Sequence, residues 1–91
     1  MSTISSVKYP VAKTTADTTV TAGQCLLSGM LLLATATAAA ATLQDESGHT
    51  LIQLGQPASG MTDRVIFSKP IQIGGYKLSS LTNGNVLIYL L

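Results

Sequence analysis

The side chains that could support catalysis in this chain gather around a single histidine. His49 is the only histidine, so any arrangement of a serine or cysteine nucleophile with a histidine base must use it. It lies four residues after Asp45, next to a turn, and the sequence has no G-x-S-x-G motif to expose a nucleophile. These features predict a surface histidine and no catalytic triad.

The four acidic residues give little support for metal binding or hydrolysis. Asp45 and Glu46 stand near His49, but the spaced aspartates and the glycine of a calcium loop are absent. Paired carboxylates can hydrolyse glycosides, yet Asp17 and Asp63 have the setting of turn residues or solvated groups. The glycines match neither a P-loop nor a dinucleotide-binding motif. We therefore predict that the chain is not an enzyme and holds no cofactor and no metal.

The low charge content is the most informative feature of the composition. Charged residues make up only 10% of the chain, against about 25% in an average protein. A surface with so few charges must consist largely of Ser, Thr, Gln and Asn, or be covered by neighbouring proteins. The net charge of +1 predicts no binding of nucleic acid.

The size of the chain points to the same need for neighbours. Its 91 residues make one domain with a thin core. Cys25 is the only cysteine, so no disulfide can form within the chain, and its apolar surroundings predict a small buried hydrophobe. Partner subunits are the remaining support for a core of this size.

A long uncharged run, Cys25 to Leu43, is long enough to cross a bilayer. It contains serine, threonine and glycine together with a run of alanines, so it is only weakly apolar. A signal peptide needs a short basic start and a cleavage site, whereas Asp17 lies among the residues that precede this run. We predict neither a membrane span nor a cleaved leader.

The same run could form a helix or two strands. Leucine, methionine and alanine favour a helix, but an uncharged helix must be fully buried, and a chain this small can hardly surround one. Two strands, at residues 25–35 and 39–45, fit better. We therefore predict no α-helix longer than two turns, including over residues 31–43.

The remaining chain has the alternation and turn residues of β-structure. Residues 1–15 are predicted to form an N-terminal extended arm or first strand, and residues 16–91 a single β-sandwich domain. Asn83-Gly84 between two apolar runs predicts a hairpin. The fold class is all-β, a small antiparallel β-sandwich or jelly roll of about seven or eight short strands. The strands are predicted at residues 17–22, 25–35, 39–45, 49–54, 64–68, 71–73, 76–81 and 85–91, with turns at Gly23, Lys69-Pro70 and Gly74-Gly75 among others.

The last strand is apolar on both faces, although a two-layer domain has only one core. Val86, Ile88 and Leu90 alternate with Leu87, Tyr89 and Leu91. The strand at 25–35 behaves in the same way, with Leu27, Leu31 and Leu33 predicted opposite Leu26, Met30 and Leu32. The second face needs a cover, either the N-terminal arm or another subunit, and we favour another subunit. The predicted protein interface consists of Leu87, Tyr89, Leu91 and Tyr9.

A carbohydrate-binding module is the alternative from another functional class, because small sandwiches often bind sugars. Sugar sites present aromatic platforms, but the chain has no tryptophan. Phe67 is expected in the core and Tyr89 on an apolar strand face, which leaves Tyr9 and Tyr76. Tyrosines that pack with their hydroxyls at the rim are the more common arrangement.

The stretch from Gly23 to Leu90 resembles small phage virion proteins with a sandwich or jelly-roll fold. The resemblance lies in the order and spacing of four segments: GQCLLSGMLLLA (23–34), AAATLQD (39–45), KPIQIGGYKL (69–78) and TNGNVLIYL (82–90). The family pattern has an aromatic residue before the aspartate at position 45, where this chain has Gln44.

This resemblance implies a capsid decoration or cement protein that stabilises the phage head. The expected partners are copies of the chain itself, with a trimer favoured, and the major capsid protein. The expected location is the virion, assembled in the host cytoplasm. A tail, fibre or baseplate component is the nearest alternative, and the resemblance carries no catalytic residues.

Overall fold

The computed structural model describes residues 11–90, apart from the side chain of Ala22. These residues form an all-β domain, as the sequence predicts, and the prediction that no long helix forms is confirmed for residues 31–43. No helix in residues 11–90 is long and apolar enough to cross a membrane. The strands are β1 (Val11–Lys13), β2 (Asp17–Ala34), β3 (Ala39–Asp45), β4 (Thr50–Gln56), β5 (Thr62–Thr82) and β6 (Gly84–Leu90).

The strands form one antiparallel sheet in the order β1-β6-β2-β5-β3-β4. Two long strands, β2 and β5, change partners along their length and so divide the sheet into two lobes. The first lobe contains β1, β6, residues 27–34 of β2 and residues 62–71 of β5. The second lobe contains residues 17–26 of β2, residues 72–82 of β5, β3 and β4.

The inner faces of both lobes contribute to one core, as expected of a small β-sandwich. The first lobe supplies Leu27, Met30, Leu32, Val86 and Ile88, all of them 0–1% exposed. The second lobe supplies a matching set from β3, β4 and β5, and no polar or charged residue among residues 11–90 is buried with them. That set consists of Ala39, Ala41, Leu43, Ile52, Ile73, Tyr76 and Leu78.

Fewer and longer strands form than the sequence predicts. The turns predicted at Gly23, at Lys69-Pro70 and at Gly74-Gly75 are wrong, because β2 and β5 run through all of them. Register shifts near these points, between Ala22 and Cys25 and between Leu27 and Gly29, take up the irregularity without ending either strand. Glycine permits a bulge as readily as a turn, so local sequence does not distinguish the two.

The predicted Asn83-Gly84 hairpin is also wrong. Asn83 has the positive φ of a tight turn, 55°, but the strands that it joins, β5 and β6, do not pair with each other and lie on either side of β2. It lies against the connection between β2 and β3, where the N–H of Thr35 donates to the Asn83 carbonyl at 2.9 Å and the Asn83 amide donates to the Thr37 carbonyl at 2.9 Å. The β2–β3 connection and the β5–β6 connection therefore run side by side between the two lobes.

Candidate protein interface

The outer face of the first lobe, here called the apolar face, carries five large apolar side chains among its nine residues. Cross-strand pairing brings Leu87 of β6 beside Leu31 of β2, and places Asn85 beside Leu33. On the other flank of β2, Arg64 pairs with Leu31. The face consists of Ala12, Leu31, Leu33, Thr62, Arg64, Ile66, Asn85, Leu87 and Tyr89, which come from four strands.

These side chains are far more open to solvent than those of the core. Leu33 is 40% and Ile66 52% exposed, and Leu31, Leu87 and Tyr89 are half-buried. Arg64 is the single charged residue in the set, and none is acidic. Single exposed apolar residues are normal on a protein surface, but a contiguous group of them is typical of a contact surface.

The outer face of the second lobe, here called the polar face, has the opposite character. Pairing places Thr42 between Gln53 and Ser80, and Gln44 beside Lys77. Ala40 and Thr82 complete this part of the face. Of the five large hydrophobic residues that are exposed within residues 11–90, only Leu26 belongs to the second lobe, at its boundary with the first. This lobe shows the usual alternation of an antiparallel sheet that has one buried face and one solvent-exposed face.

The face assignments along β2 correct one part of the sequence prediction. Strict alternation groups Leu27 with Leu31 and Leu33, but Leu27 is fully buried together with Met30 and Leu32. Relative to β6, the bulge between Leu27 and Gly29 inserts one residue into β2 and reverses the alternation there. Leu31 and Leu33 share one face, as predicted, and that face points outward, which places two leucines on the apolar face.

Gly29 allows β5 to approach β2 closely beneath the apolar face. A Cβ at this position would meet the Val65 carbonyl oxygen and would lie 2.8 Å from Cδ1 of Ile66. The Ile66 side chain therefore covers the Gly29 backbone and projects from the face. On the other flank the surface dips into a groove of about 290 Å³, lined by Ala12, Lys13, Thr14, Leu31, Leu33, Asn85, Val86 and Leu87.

The strand edges are less suited than the faces to pairing with another chain. β1 at one edge of the sheet has only three residues. At the other edge, the Asp63 carboxylate accepts a hydrogen bond from the Gly55 N–H of β4 at 3.2 Å. The Gln56 amide also reaches the Thr62 carbonyl, at 2.7 Å. Short and side-chain-capped edges discourage strand addition.

Two of the four predicted interface residues lie on the apolar face. Leu87 and Tyr89 point outward from β6 and are half-buried. Leu91 and Tyr9 lie outside the described residues. Arg64 and Ile66 were not predicted, although the alternation of Arg64, Ile66 and Ser68 with Val65 and Phe67 is the signal that could have placed them on an outer face.

His49 and Asp45 form a capped turn between β3 and β4. The Asp45 carboxylate accepts hydrogen bonds from the main-chain N–H groups of Ser47 and His49, both at 2.9 Å. The imidazole Nδ1 lies 3.3 Å from the same carboxylate, and the His49 side chain is 79% exposed. Within residues 11–90, no three histidine, cysteine, aspartate or glutamate side chains come close enough to hold a metal ion.

The hydrogen bonds of this turn shift the titration of the carboxylate. The N–H of His49 lowers the pKa of Asp45 below its ordinary value, the Ser47 N–H and the imidazole lower it further, and partial desolvation opposes them. A lowered pKa in the folded state stabilises the fold above the ordinary carboxylate pKa. That contribution is lost as the pH falls through the lower folded-state value. Such a turn is a structural cap.

The tyrosines place no aromatic platform on the second lobe. Tyr76 is only 7% exposed and belongs to the core, so it cannot stack on a sugar ring. Tyr89 is half-buried among the leucines of the apolar face. The remaining platform candidate from the sequence, Tyr9, lies outside the described residues.

No protein-family model, curated protein or solved structure matches this chain. The resemblance to small phage virion proteins therefore stays a prediction, and the geometry of the two outer faces carries the functional argument.

Proposed function

We propose that this chain is a non-enzymatic structural subunit of a virus particle, a decoration or cement protein that stabilises a phage capsid. The observation that carries the proposal is the apolar face, with Leu33 at 40% and Ile66 at 52% exposure beside three half-buried apolar residues. A subunit with such a face works by burying it against other protein surfaces. The virion as the place of assembly rests on the four resembling segments of the sequence.

The subunit stabilises the particle by adding protein–protein contacts and without any chemical reaction. Each subunit buries its apolar face against a neighbouring protein within the particle and adds buried area to contacts that would otherwise open. One apolar side chain contributes about 1.5–3 kcal/mol when it becomes fully buried. Many equivalent contacts around one shell add their effects, because each bound subunit holds its neighbours close to their own sites.

The test is to measure the chain in particles purified from the virus that encodes it. Quantitative mass spectrometry should find the chain at a copy number comparable to that of the major capsid protein. Heads made without the chain should assemble but release their genome at lower temperature. A copy number far below that of the capsid protein would indicate a tail, fibre or baseplate component, and absence from the particle would refute the proposal.

A further inference from the structure

The apolar face has a self-complementary arrangement across β2. Its flank on β5 projects, with Ile66 at 52% exposure and with the exposed Arg64. Its flank on β6 and β1 is recessed by the groove that Leu87, Asn85 and Ala12 help to line. The projecting Arg64 and the recess at Leu87 lie at the same position along the strand direction, because both residues pair with Leu31.

We infer that the occupant of the apolar face is a second copy of this chain, packed face to face about a two-fold axis parallel to β2, in place of the trimer that the resemblance implies. This inference rests on the proposed function only in taking the apolar face as a contact surface. Such an axis exchanges the two flanks and preserves the level along the strands. Arg64 of each copy then lies over Leu87 of the other, in the groove.

The chemistry of the two flanks suits this contact. The aliphatic part of an arginine packs on apolar side chains while its guanidinium reaches a polar acceptor. Asn85, at the rim of the groove, offers an amide oxygen. Lys13 also lines the groove, but its ammonium lies 3.2 Å from the Asp17 carboxylate, which offsets its charge. The leucines of β2 meet the same leucines of the partner.

The charge on the face also distinguishes the possible axes. A two-fold axis across the strands would place β5 over β5 and bring the two Arg64 guanidinium groups together. No carboxylate belongs to the apolar face to separate them. Like charges in a contact oppose association, so the axis parallel to β2 is the one that the residues favour.

The size of the face sets the strength of this contact. Four strands at about 4.8 Å spacing and five residues at about 3.4 Å rise give roughly 300 Å² of sheet per copy. If each face is treated as flat, the pair buries roughly 600 Å² in total. This area belongs to the weak class of interfaces, below about 1,200 Å². The expected dimer is reversible and depends on concentration, and it strengthens where an assembly holds copies close together.

Sedimentation velocity of the purified full chain over a wide concentration range tests the inference. The wild type should shift from monomer to dimer as concentration rises. Arg64→Glu should weaken the dimer by at least about tenfold, because it places a carboxylate on an apolar partner surface in place of the arginine contact. Lys77→Glu makes the same charge change on the polar face and should leave the dimer unchanged. Circular dichroism establishes that both variants fold.

Cross-linking tests the axis. In a Cys25→Ser background, a mixture of Arg64→Cys and Leu87→Cys chains treated with a short bismaleimide should give a covalent dimer of the two variants. A mixture of Lys77→Cys and Leu87→Cys chains should not. Cross-linking of Arg64→Cys chains to one another in preference would overturn the proposed axis. A wild type that stays monomeric at all concentrations would overturn the second copy as occupant, while the particle measurement under Proposed function would still decide that proposal separately.

Discussion

The two outer faces of this domain differ sharply, although both belong to one sheet and flank one core. The polar face carries Thr42, Gln53 and Ser80 in one cross-strand row. The equivalent row of the apolar face carries Leu87, Leu31 and Arg64. A sandwich needs only its inner faces to be apolar for folding. The fold therefore does not require the outward leucines, and under the proposed function they contact another protein surface.

The largest expected difference is between two neighbouring leucines of β2. Leu32 is 0% exposed, so Leu32→Ala should destabilise the domain by about 2–5 kcal/mol. Leu31 is half-buried on the apolar face, and Leu31→Ala should cost only about 1 kcal/mol of folding free energy. Urea denaturation measures both. If Leu31→Ala proved as costly as Leu32→Ala, the side chain would belong to the core.

A second comparison concerns one glycine under each face. A Cβ on residue 29 would lie against the Val65 carbonyl oxygen, so Gly29→Ala must push β5 from β2 and should cost about 1–3 kcal/mol. At Gly55, beneath the polar face, the nearest atom to a new Cβ is the Ala39 carbonyl oxygen, at 3.4 Å. Gly55→Ala should change the unfolding free energy by no more than about 0.5 kcal/mol. Equal costs would mean that the close approach at Gly29 is not needed.

The smallest effect is expected at His49, outside both faces. Its side chain is 79% exposed, and His49→Ala keeps the two main-chain N–H groups that bind the Asp45 carboxylate. The melting temperature, self-association and infectivity should therefore stay close to those of the wild type. Thermal unfolding and a plaque assay provide the measurements. A large loss of infectivity in a stable variant would restore a functional site around Asp45 and His49.

The fold class and the outward placement of Leu87 and Tyr89 could be predicted from the sequence because both depend on the period of apolar residues. The period of two along residues 84–90 is unbroken, so Leu87 and Tyr89 are correctly placed opposite the core. Over β2 the same method misplaces Leu27, because a bulge is a tertiary feature that shifts the period without a local signal. The hairpin prediction at Asn83 failed for a similar reason. The strands on either side of Asn83 pair with strands elsewhere in the chain and not with each other.

Arg64 and Ile66 show which part of the face local sequence leaves open. The alternation of residues 64–68 can place both side chains outward, but their position beside Leu31 and Gly29 follows from pairing with residues far away in sequence. Nothing local indicates that β5 continues past Pro70 to serve both lobes. When the pairing of strands that are distant in sequence decides which residues share a face, only the structure identifies those residues.

Co-sedimentation with capsids assembled without this chain tests the central claim most directly. Leu87→Glu and Gln53→Glu each place one carboxylate at an outward strand position, the first on the apolar face and the second on the polar face. Both variants should fold with the β-rich circular dichroism of the wild type. Leu87→Glu cannot pair through the apolar face, so it should lose the mutual reinforcement of neighbouring copies and fail to pellet with the capsids. Gln53→Glu should bind as the wild type does. Normal capsid binding by a folded Leu87→Glu variant would contradict the claim that the apolar face is the assembly surface.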